Sequence, residues 1–152
     1  MSESPDPGRG SNRTSAPWHL WVVGTIGVLW NGVGVVDNFM IQTDNESYLA
    51  AFSAEQLQVL GSLPLWLAGS WSLAVWGGVA GCLLLLLRRR ISVTVLLASL
   101  LAMTVTGVHN FATEGGIYET GGTSPAFVLL IFGLACGFWV YGRALNQRGL
   151  LA

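Results

Sequence analysis

Four stretches almost without charge, Trp18–Met40, Pro64–Leu87, Ile91–Phe111 and Pro125–Leu145, take up most of this chain. Each is about 20 residues long, enough for a helix rising about 1.5 Å per residue to cross a hydrocarbon core about 30 Å thick. Of the 152 residues 52% are apolar and 10% charged, against about 25% charged in a soluble domain. Four spans with short connections leave no room for a soluble domain. The expected fold is all-α: a transmembrane four-helix up-down bundle.

Residues 1–17, "MSESPDPGRGSNRTSAP", are rich in Ser, Pro and Gly and have no apolar face, so they are expected to be a disordered tail. The apolar segment after them is too long for the core of a secretory signal and reads as a retained first anchor. Residues 18–145 form the predicted membrane domain and 146–152 a short second tail.

Arginine sets the expected orientation. All seven basic residues are Arg: Arg9 and Arg13 before span one, Arg88, Arg89 and Arg90 between spans two and three, Arg143 and Arg148 at the end of span four. The other two connections hold Asp44, Glu46, Glu55, Glu114 and Glu119, with Asp37 at the end of span one. The positive-inside rule places both termini and the Arg loop in the cytoplasm, so a multi-pass protein of a bacterial cytoplasmic membrane is expected. Cys82 and Cys136 fall in the cytoplasmic half, where a disulfide is not expected; they read as buried spectators.

In lipid, helices associate through small residues and interhelical hydrogen bonds. Span one carries Gly24, Gly27, Asn31, Gly34 and Asn38 on one stripe; span two carries Ser70, Ala74, Gly77 and Gly81. Span three carries Ser99, Ala102, Thr106 and His109, and span four the small pair Gly133 and Gly137. Each stripe predicts a contact face. Asn31 between Gly27 and Gly34 fits a homo-oligomer interface equally well. Pro64 and Pro125 predict first helical turns, capped by Ser62 and Ser124. Ser53 and Gln56 stand at capping-box spacing, which predicts a short helix on the outer surface between spans one and two.

Asp37 lies 19 residues beyond Trp18, and His109 19 beyond Arg90, so both sit about 28 Å up their helices. With spans one and three as neighbours, Asn31, Asp37, Asn38, His109 and Asn110 converge near the outer surface, and Glu114 follows. Such groups at bilayer depth are usually paired or face a cavity. Two functions fit: an outward-facing site for a small polar solute or a cation, or hydrogen bonding that only holds helices together. No metal site or cofactor is expected, nor a nucleic-acid partner; lipid is the expected surrounding. Catalysis is not expected, since His109 is the only histidine on the outer side.

The segments "LWNGVGVVD" (Leu29–Asp37), "QTDNESYLAAFSAEQ" (Gln42–Gln56), Pro64-x-Trp66 and "VWGGVAGCLLLLLRRR" (Val75–Arg90) resemble a family of small bacterial integral membrane proteins with four predicted spans. The resemblance covers about Trp18 to Phe111. Members often carry the label "sugar transporter", with no established mechanism; Asn38 stands where they usually have Tyr.

Overall fold

The computed structural model describes residues 17–112 and 124–152. Among these, six helices follow in order: α1 (Trp18–Gln42), α2 (Glu46–Leu49), α3 (Ala54–Gly61), α4 (Leu65–Leu86), α5 (Ile91–Ala112) and α6 (Pro125–Gln147). The four long ones are each apolar and long enough to cross a membrane, and they pack into one bundle.

α4 is the central element. One of its faces meets α1: a β-carbon at Gly24 would strike Leu86, one at Gly27 would lie 2.6 Å from Cys82 Sγ, and one at Gly34 3.2 Å from Val75. Its other face meets α5. There Ser70 Oγ donates to Ala102 O at 3.0 Å, Ser99 Oγ donates to Ala74 O at 2.5 Å, and a β-carbon at Gly81 would lie 2.6 Å from Leu96. The neighbours Gly77 and Gly78 divide this work, Gly77 facing Ser99 on α5 and Gly78 facing Asn31 on α1. Without side chains, these positions let backbones approach closely enough for dispersion and hydrogen bonding to hold helices in lipid.

α6 closes the bundle with bulk. Phe132 fills the space beside Gly107, Phe138 reaches Gly27, and Trp30 meets Phe127 with ring centroids 6.2 Å apart. At Gly133 and Gly137 an added β-carbon meets nothing within 4 Å, and both glycines are exposed. The expected small-residue contact of span four is therefore not made among the described residues. The α1–α6 seam is wide enough to need aromatic side chains, and the α6 face that supplies them points away from those glycines. Cys136 shares that outer face and is exposed, whereas Cys82 is buried. Away from the seams α1 shows a stripe of exposed Trp18, Val22, Ile26, Leu29, Val33 and Val36, the spacing of one helical face.

The connections follow local rules. α3 begins with a complete capping box: Ser53 Oγ accepts from Gln56 N at 3.2 Å, and Gln56 Oε1 from Ser53 N at 2.9 Å. Ser124 caps α6, with Pro125 following. Ser62 does not cap span two. It ends α3, its hydroxyl donating to Val59 O at 2.9 Å, and Pro64 itself, in extended backbone, opens α4. α1, α4 and α6 all end in a Schellman turn: Asn45 N bonds Met40 O, Arg89 N bonds Leu84 O, and Leu150 N bonds Leu145 O. The left-handed residue in each is Asp44 (φ 50°), Arg88 (φ 57°) and Gly149 (φ 68°). Only the last is the glycine such a turn prefers.

The last residues are not a loose tail. Gly149 turns the chain back under the bundle, and Leu151, 1% exposed, joins Leu20, Leu85 and Leu145 in a fully buried cluster. Ala152 N donates to Arg88 O at 2.6 Å and Arg90 N to Ala152 O at 3.0 Å.

Candidate functional site

The polar residues of α1 are tied up from two directions. After the turn at Thr43–Asn45 the chain doubles back, and Asn45 caps α2 by accepting from Tyr48 N at 3.0 Å. This brings the Tyr48 hydroxyl onto Asp37, to whose Oδ1 it donates at 2.5 Å. That bond, with partial burial and the charge of Asp37, pushes the Tyr48 phenol up to about 12 from 10.0; a phenolate there would lose the bond and face a carboxylate.

Asn38, one residue on, points into the α1–α4 seam and is 2% exposed. Ser72 Oγ lies 3.3 Å from Asn38 Oδ1 and 3.0 Å from Ala68 O, while Gln42 Nε2 donates to it at 2.5 Å. A hydroxyl has one proton to give, and the shorter bond to Ala68 claims it for most of the time. Asn38 is thus weakly held on its oxygen side, and its Nδ2 is buried without a partner among the described residues. Gln42, Tyr48 and Ser72 escaped the sequence reading. The contact of Tyr48 depends on a turn, and that of Ser72 on α4 being the neighbour of α1.

Deeper in, Asn31 Nδ2 donates to Gly27 O of its own helix at 2.8 Å. Its Oδ1 presses on Gly78, where even a methyl group would overlap it. The face carrying Gly27, Asn31 and Gly34 is thereby occupied by α4.

His109 sits elsewhere. Its ring meets Trp66 of α4 edge to face, with centroids 5.3 Å apart, and Asn110 beside it is half-buried. α4 stands between α1 and α5, so the expected adjacency of spans one and three gives way to two clusters. Asp37 and Asn38 meet α2 and α4; His109 and Asn110 lie by the start of α4. Glu114 lies outside the described residues, as do residues 1–16.

A cavity of about 470 Å³ opens between α5 and α6. Gly107, Val108, Phe111, Val128 and Phe132 line it with an almost wholly apolar surface. It is separate from the Asp37 cluster and suits hydrocarbon, not a polar solute. Among the described residues no three His, Cys, Asp or Glu side chains gather as a metal site. Near the opposite end, His19 Nδ1 and the Tyr141 hydroxyl share a hydrogen bond of 2.5 Å across the α1–α6 seam.

These features define a small integral membrane protein built as a four-helix bundle. Compared with family models, curated proteins and solved structures, the chain matches none.

Proposed function

We propose that the chain is a non-transporting, non-enzymatic accessory component of a bacterial cytoplasmic membrane, with the arginine end in the cytoplasm. The observation that carries this reading is that Asp37 and Ser72 at the acid-bearing end are hydrogen-bonded within the chain. Asp37 is engaged by Tyr48, and Ser72 by Gln42 and Ala68, so these groups meet one another and not a polar solute. The orientation rests on the arginines standing at one end of the helices. Vesicles reconstituted with the protein should take up labelled monosaccharide no faster than empty vesicles, and Asp37→Asn should lower thermal stability without changing uptake. Uptake above the empty-vesicle rate that disappears in Asp37→Asn would overturn the proposal.

A second reading is favoured by one atom. Asn38 Nδ2, buried and without a partner among the described residues, is a donor in the α1–α4 seam that a small polar solute reaching the seam would satisfy. Saturable binding of a monosaccharide lost in Asn38→Leu would favour it.

A further inference from the structure

All five described arginines, Arg88, Arg89, Arg90, Arg143 and Arg148, lie at one end of the bundle, while the described acids Asp37, Asp44, Glu46 and Glu55 lie at the other. Two of the five are held by the returning C-terminal segment. Arg88 Nε donates to Leu150 O at 3.0 Å, and Arg90 Nε donates to Leu151 O at 3.1 Å. The segment is itself fixed, by the buried Leu151 and by backbone bonds on both sides of Arg89. Each of these guanidinium groups therefore has its inner edge anchored to a carbonyl, and its plane no longer swings with a four-bond side chain.

The Arg90 guanidinium has five donors in a flat fork, and its Nε–H bond uses one of them. The fork matches phosphate oxygens, and fixing it beforehand reduces the ordering lost on binding. A third group adds to the set: the Arg143 guanidinium lies 5.6 Å from the centre of the Trp139 ring. With Trp18 and Trp21 exposed on α1, these indoles mark the level at which a membrane presents its headgroups. A side chain at that level meets lipid phosphate.

We propose that the C-terminal segment Gly149–Ala152 shapes Arg90, with Arg143 at the same end of the bundle, into a binding surface for anionic phospholipid headgroups. It differs from the general attraction of arginine for anionic membranes in depending on the segment as well as on charge. The full chain is reconstituted into bilayers of equal phosphatidylglycerol and phosphatidylcholine, extracted gently, and the retained lipid counted by native mass spectrometry. Wild type should retain phosphatidylglycerol about fivefold over phosphatidylcholine, and Arg90→Gln with Arg143→Gln should bring the ratio to about one. Leu151→Asn and, separately, Gly149→Val keep every arginine but displace the segment, the second through its left-handed backbone without changing any leucine. Both should lower the ratio about threefold at unchanged helicity by circular dichroism. An even ratio in wild type overturns the proposal. So does full enrichment in both segment variants, which leaves charge alone as the cause. Displacement of the lipid by millimolar inorganic phosphate overturns the assignment to lipid and points to a free phosphate ligand.

Discussion

At the arginine end of the bundle Leu20, Leu85, Leu145 and Leu151 pack with no exposed surface to speak of. At the acid-bearing end closure depends on side-chain hydrogen bonds: Tyr48 on Asp37, and Gln42 on Ser72 with Asn38 beside it. The difference follows from what each end must bind together. The leucines gather where the helices leave lipid, and water restores the hydrophobic driving force that the bilayer interior removes. The other end has to hold a chain reversal, α1 into α2, and directional bonds fix its geometry where apolar contact would not.

Leu151→Ala tests the contrast most severely. It should lower stability by about 2–4 kcal/mol, the usual loss for a fully buried leucine, read as earlier unfolding in detergent. A loss below about 1 kcal/mol would mean that the segment adds little to that end. Gly81→Ala comes next, because its methyl would meet both the side chain and the backbone of Leu96; about 1–3 kcal/mol should be lost. Gly137→Ala meets nothing and should gain up to about 1 kcal/mol of helix propensity. Equal losses at both glycines would refute the assignment of faces. At the acid-bearing end Tyr48→Phe should cost only about 1 kcal/mol.

The smallest effect is a titration. The Tyr48 phenol, raised from 10.0 to about 12, stabilises the fold through its protonated form. That contribution is complete below pH 10 and lost as the pH rises through 12. Ultraviolet difference titration should show late tyrosine absorbance, part of which Asp37→Asn should return toward 10. A titration curve unchanged in that variant would show that Asp37 is not the cause.

The spans were legible because lipid demands long uncharged runs, and the α3 start because a capping box is local chemistry. The stripe of α1 was legible as a face, but its partner was not. Periodicity shows which residues point together; it does not show that α4 uses one seam for α1 and the other for α5. Gly78 was overlooked beside Gly77 for this reason. On α6 the small-residue spacing suggested contact, while Phe132, Phe138 and Tyr141 make the seam. "RGLLA" offered no sign that Leu151 would be buried, since docking depends on a left-handed turn and on groups more than 60 positions earlier in the chain.

The back-bond of Asn31 to Gly27 O has a consequence for biogenesis. A span leaving the insertion machinery reaches the bilayer before its later neighbours exist, and an amide without a hydrogen bond would penalise that wait. By giving a proton to its own helix one turn back, Asn31 lets α1 reside alone in lipid until α4 arrives with Gly78 to cover the remaining oxygen.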